Sequence, residues 1–117
     1  MAIPSGGGTE VLKRAYKHAQ TNAWITLITG VANHIYTVIS VILCEQGNAA
    51  ELFSMRVDIS AAGSNQLRLL EQQALPAYSS YVFTDKIVLT GTDKLEVYSQ
   101  SAANIDVYVS YIDQDWT

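Results

Sequence analysis

The chain has 117 residues, 49% of them apolar and 15% charged, where an ordinary soluble domain carries roughly 25% charged residues. That length is one domain, large enough to bury about two-thirds of its unfolded surface without disulfide staples. Net charge is −4, and over residues 21–117 the carboxylates outnumber Arg56, Arg68, Lys86 and Lys94 by six, which excludes a nucleic-acid-binding body because phosphate recognition needs clustered Lys and Arg.

Residues 1–9 hold Pro4 and the triplet Gly6, Gly7 and Gly8 and show no periodic pattern. Glycine there leaves the backbone free, so residues 1–20 are expected as a flexible N-terminal arm ahead of a β-sandwich over residues 21–117. This segment lacks the basic start and apolar core of a secretion signal, and the expectation is a chain that folds where it is made, in the cytoplasm of a host cell. Within the arm, Val11, Lys13, Ala15 and Lys17 alternate with Leu12, Arg14 and Tyr16 in a loose period of two, the pattern of a strand over residues 10–18.

From residue 23 onward period two dominates. A strand over residues 24–28 ends at Gly30. Residues 34–45 form a long strand that is apolar on both faces, with Ile35, Ile39, Val41 and Leu43 on one and Tyr36, Val38 and Ile42 on the other. A strand so clad is either central in its sheet or a contact between subunits. Residues 51–60 alternate cleanly, Phe53, Met55, Val57 and Ile59 inward and Ser54, Arg56 and Asp58 outward. Further strands are expected at residues 66–70, 81–83, 86–89, 94–99 and 105–112, with a connection at 71–77 and a turn at 101–104. About eight short strands with turn signals every 8–12 residues or so define an all-β protein, a two-sheet antiparallel sandwich or barrel. The expected core gathers Phe53, Met55, Val57, Leu95, Val97, Val107 and Val109.

The residues that carry chemistry are sparse. His18 and His34 are the neutral-pH acid–base candidates, and neither has a partner nearby in sequence. Cys44 is the single cysteine, so no internal disulfide forms; its apolar neighbours in residues 37–43 predict a buried, inert thiol. Asp113 and Asp115 have the spacing of a metal pair, yet near Trp116 and Thr117 they read as a solvated tail. No nucleophile elbow, dinucleotide fingerprint or phosphate loop is present, and Gly6, Gly7 and Gly8 lack a following Lys-Ser or Lys-Thr. The apolar run 35–44 is far short of the roughly 20 residues that span a bilayer. The reading is therefore no catalytic residue, cofactor or metal, and no nucleic-acid or membrane partner. A chain short of charge has surface that need not stay in water, which favours binding copies of itself or other proteins. Seven Tyr and two Trp fit that use, since each pairs a large apolar area with a polar tip.

Several stretches resemble a known group. They are Ile3-Pro4-Ser5-Gly6-Gly7-Gly8-Thr9-Glu10-Val11-Leu12-Lys13-Arg14, Ala32-Asn33-His34-Ile35-Tyr36-Thr37-Val38-Ile39-Ser40-Val41, and Tyr81-Val82-Phe83-Thr84-Asp85-Lys86-Ile87-Val88-Leu89. Gly91-Thr92-Asp93-Lys94-Leu95-Glu96-Val97 and Val107-Tyr108-Val109-Ser110-Tyr111-Ile112-Asp113-Gln114-Asp115-Trp116 follow. Together they are similar to small structural proteins of tailed phages, notably marine and cyanobacterial ones. The resemblance implies a jelly-roll-like sandwich in the virion, as a capsid decoration (cement) protein, often a trimer, seated on the major capsid protein where shell subunits meet. It equally covers components of neck, tail or fibre, and a glycan-binding sandwich for host contact stands beside them. For the decoration reading the expected docking arm is Pro4, Gly6, Gly7, Gly8, Lys13, Arg14, Tyr16 and Lys17, and the expected self-association surface is Tyr36, Val38, Ile42 and Tyr108.

Overall fold

The computed structural model describes residues 9–20, 22–100 and 104–116. Pro4, Gly6, Gly7 and Gly8 lie outside them, as does most of the turn expected at residues 101–104. The described strands are β1 (Thr9–Gln20), β2 (Ile25–Thr29), β3 (His34–Glu45), β4 (Glu51–Asp58), β5 (Gln66–Leu75), β6 (Ser80–Phe83), β7 (Ile87–Thr90), β8 (Lys94–Ser99) and β9 (Ile105–Asp115), with one 3₁₀ turn at Ile59–Ala61. One sheet runs β1-β9-β3-β6, with β7 pairing the other half of the same β3 edge; the second runs β2-β8-β4-β5. Every ladder is antiparallel. Apart from the β4–β5 hairpin and the β6/β7 pair, each strand is followed by one in the opposite sheet. That interleaving is the jelly roll, a double Greek key.

The core lies between the sheets and holds all seven residues expected there, each at most 6% exposed. β9 keeps strict parity: Ile105, Val107, Val109 and Asp113 are buried, and Tyr111 packs against the core. Its neighbour β3 does not. Val38 pairs with Tyr111 and Ser40 with Ser110, leaving Ile39 as an extra residue in a bulge. A bulge exchanges the faces of everything beyond it. Tyr36 and Val38 therefore point inward before it, and Val41 and Leu43 after it, while Ile39 and Ile42 face solvent. The period-two division of this strand into two constant faces is corrected accordingly. On the far edge of β3, β6 pairs residues 41–44 and β7 pairs residues 35–38, so the break between β6 and β7 lies opposite the bulge.

Residues 71–75, expected as a connection, continue β5. Bulges on β5, which adds residues opposite Phe53–Met55 and Met55–Arg56 of β4, and a positive φ of 49° at Gln72 erase the alternation there without ending the ladder. At one end of the sandwich, Gly30 leaves no room for a side chain: a Cβ there would collide with the Gly91 carbonyl oxygen. Buried Asp93 ties that end together, accepting hydrogen bonds from the backbone N–H groups of Ser60 (2.8 Å) and Thr90 (3.0 Å).

Candidate interaction surface

The outward faces of the two sheets differ in chemistry. On the β2-β8-β4-β5 sheet, the Trp24 ring lies under the Arg56 guanidinium at 3.8 Å and the Arg68 guanidinium at 4.7 Å, with the Tyr98 ring 5.4 Å away. Arg56 is paired to Glu96 at 2.8 Å, and Arg68 to Glu71 at 2.7 Å. Charge and aromatic surface on this face are satisfied within the chain.

The other face is apolar and open. Register places Tyr16, Tyr108, Ile42 and Val82 in one row across four strands, and Leu12, Ile112, Thr37 and Val88 in a second. Tyr16 is 66% exposed, Leu12 71%, Val82 54% and Val88 57%. Bulged Ile39 is exposed as well. Arg14 stands between the rows on β1, its guanidinium 5.9 Å from the centre of the Tyr16 ring. Beside Tyr16 and Tyr108 runs a groove of about 430 Å³, lined also by Arg14, Lys17, His18, Ile42, Cys44 and Asp106. A contiguous exposed apolar stripe of this kind marks a surface that another molecule covers.

The structure divides the residues singled out from the sequence. Arg14 and Tyr16 lie along this face and its groove; Lys17 lines the groove but, opposite buried Val107, shares the side of β1 on which Lys13 points inward. Ile42 and Tyr108 are opposite each other on the exposed face. Tyr36 and Val38 are 4% and 0% exposed in the chain's own core, so the self-association surface is corrected to exclude them: a side chain enclosed by its own sandwich has no area left for a second copy. Cys44 is half-buried on the groove wall rather than sealed in the core, a consequence of the β3 bulge. His18, which has no partner nearby in sequence, meets Asp106 through Nδ1 at 2.8 Å. Cys44 and His18 line the same groove, and the imidazole hydrogen bond there runs to Asp106.

Sequence reading also missed an ionic cluster that fastens β1. Asp113 is buried, not part of a solvated tail: Lys13 Nζ donates to its Oδ2 at 2.8 Å and His34 Nδ1 to its Oδ1 at 2.7 Å. His34 Nε2 faces Asp115 at 3.5 Å, and the imidazole stacks on Tyr36. Burial alone would raise the Asp113 pKa, but the hydrogen bonds from Lys13 and His34 outweigh it and hold the carboxyl below its usual range. The Asp113 hydrogen bond raises Lys13 against a smaller opposing effect of desolvation, and burial raises the Tyr36 phenol. Spacing gave no signal for this cluster, because Lys13 and Asp113 meet only once β1 pairs with β9.

The sign of the linkage follows. A carboxyl with a depressed folded-state pKa stabilises the fold at pH above its unfolded value and loses that contribution as pH falls through the folded one. Protection of the β1 amides relative to their intrinsic exchange rate is therefore expected to hold from neutral pH down to the ordinary aspartate value of about 3.9. Below it, β1 protection should fall before that of β3 and β8. Uniform loss of protection in all strands would show that the cluster is not what secures β1.

No known protein family matches the sequence, and no curated protein matches it. Solved structures do. A chain of the disulfide-linked pili that form Bacillus endospore appendages is similar at 13% identity and TM-score 0.60, over 100% of this chain and 97% of that one. A chain of the acid-stable capsid of Helicobacter pylori bacteriophage KHP30 is similar at 13% identity and TM-score 0.56, over 98% and 92%. A chain of the T13 viral particle of IBDV matches at 9% identity and TM-score 0.56, over 92% of this chain but 31% of its own length. Identities this low establish the fold alone. The chain is thus a single jelly roll, matching nearly the full length of chains in a pilus and a phage capsid and about a third of a larger viral chain.

Proposed function

We propose that the chain is a non-enzymatic structural subunit of a phage particle, a capsid decoration protein that docks on the major capsid protein and bridges neighbouring shell subunits. The observation that carries this reading is the open apolar face of the β1-β9-β3-β6 sheet, with Arg14 on it and Lys17 at its groove, while Arg56 and Arg68 of the opposite sheet are paired within the chain. A binding protein needs such a face, and the fold it shares with a phage-capsid chain of nearly equal length supports the setting. The pilus likeness supports it less. Covalent polymerisation through disulfides requires at least two cysteines per subunit, and this chain has Cys44 alone.

In this reading β1 carries the described part of the docking arm, Lys13, Arg14, Tyr16 and Lys17. Copies associate as trimers, as the resemblance implies, and many modest contacts repeated over a symmetric shell add up without a single strong site. A protein that binds only the assembled shell stabilises it by mass action. Particles without this chain should form yet rupture at lower temperature or under milder osmotic shock. Adding back the purified protein should restore them, and the variant Ile42→Asp/Tyr108→Asp, altered only on the open face, should fold but fail to restore. Salt should weaken attachment where Arg14 and Lys17 take part, because exposed charges are screened within about 8–10 Å. Robust particles that no longer adsorb to cells would replace this reading with a fibre or glycan-binding role; particles without tails would replace it with a neck role.

A further inference from the structure

β1 is held on the sandwich in an unusual way. None of its described side chains is in the buried core, and Ala15 alone packs against that core. What fastens it is the backbone ladder to β9, in register from Thr9 opposite Asp115 to Lys17 opposite Val107, with a register shift before Gln20 opposite Ile105. Among the described residues, polar contacts to β9 add to the ladder: Lys13 to Asp113 at 2.8 Å, Gln114 Nε2 to Glu10 Oε1 at 2.9 Å, and His18 to Asp106 at 2.8 Å. Each of these requires a β1 strand on the β9 edge; none requires that strand to belong to the same chain. The link from β1 to the first residue of β2 is only residues 21–24.

From these observations we infer that β1 is an exchangeable strand: at high local concentration the β1 of one copy completes the β9 edge of a second copy in the same register. Exchange of an identical element keeps every contact, so its free-energy cost is confined to the hinge and the lost proximity. A short hinge favours it further, because chain leaving a sheet through few residues swings outward more readily than it folds back. Strand donation along a β edge is also the mode in which main-chain hydrogen bonds supply the affinity, which is how β1 is held already. The strands whose side chains fill the core, β3, β4, β8 and β9, are anchored and stay with their own chain. The inference does not depend on the particle reading, since it concerns the purified protein.

The test uses two full-length single-cysteine variants, both carrying Cys44→Ser: one has Arg14→Cys, the other Ser110→Cys. These positions face each other across the β1–β9 ladder. The two proteins are made with different mass tags, mixed, unfolded in acid, refolded at high concentration under reduction, and then oxidised. Exchange predicts disulfides between unlike variants well in excess of the statistical share. Homodimers alone, disulfides at the statistical ratio, or no cross-link would overturn it. If Arg14→Cys disturbs folding, the pair Glu10→Cys and Gln114→Cys, at the opposite end of the same ladder, gives the same readout.

Discussion

Replacing Phe53 by Ala is expected to lower the unfolding free energy by about 3–5 kcal/mol, the range for removing a fully buried aromatic ring. Phe53 is 1% exposed on β4, and its ring meets that of Tyr81, on β6 in the facing sheet, edge-on with centroids 5.4 Å apart. Truncation deletes the transfer energy of the ring and leaves a cavity between sheets that the ladders hold too firmly to collapse. A domain of this size has about 5–15 kcal/mol in hand, so the variant should fold but lose a large fraction of its margin. Urea denaturation supplies the measurement. Phe53→Leu, which fills most of the space, should cost about 1.5 kcal/mol or less. Val88→Ala, on the open face, should change stability by less than about 0.5 kcal/mol. A Phe53→Ala cost as small as that of Val88→Ala would mean that the two sheets are not packed as described.

That core was legible because burial on one face of a strand imposes period two, and β4, β8 and β9 obey it without interruption. The strands and sandwich class followed from the same signal. What the alternation cannot carry is a bulge: Ile39 adds one residue to β3, and the inward set changes from Tyr36 and Val38 to Val41 and Leu43 with no mark in composition. The expected self-association residues straddled this point, which is why two are core and two are surface. In β5 the shifts around Met55 and Gln72 hid a continuing strand in the same way.

The open face was legible in part. Arg14, Tyr16, Ile42 and Tyr108 were candidates from chain chemistry, but their assembly into one surface depends on β9 lying between β1 and β3, the crossing of a Greek key. Contacts across that topology, such as Lys13 with Asp113 or His18 with Asp106, have no local signature in the sequence. The pairing of Arg56 with Glu96 belongs to the same class and leads to the second large effect.

Arg56→Ala is expected to destabilise the protein by about 3–5 kcal/mol, the cost of leaving one member of a buried ion pair without its partner. The side chains of Arg56 and Glu96 are each 11% exposed and meet at 2.8 Å, and the guanidinium also lies 3.8 Å from the centre of the Trp24 ring. Arg56 stands directly opposite Arg68 on β5, a like-charge pair that Glu96, Glu71 and the Trp24 ring between them neutralise. Without Arg56, Glu96 keeps the hydrogen bond that the Thr26 hydroxyl donates at 3.2 Å, too little for a carboxylate taken out of water. Arg56→Lys should recover only part of the loss: an ammonium lacks the planar fork that reaches Glu96, Gln66 and the ring together. Arg56→Met/Glu96→Leu, which replaces both charges by apolar groups of similar size, should fall within about 1 kcal/mol of the parent or exceed it, because the desolvation cost vanishes with the pair. Urea midpoints separate these outcomes, and Trp24 fluorescence reports whether the ring loses its cover. A single-variant loss below about 1 kcal/mol would place the pair among ordinary exposed ion pairs. A double variant no better than Arg56→Ala would instead show that the stacking on Trp24, rather than the charge on Glu96, sets the cost.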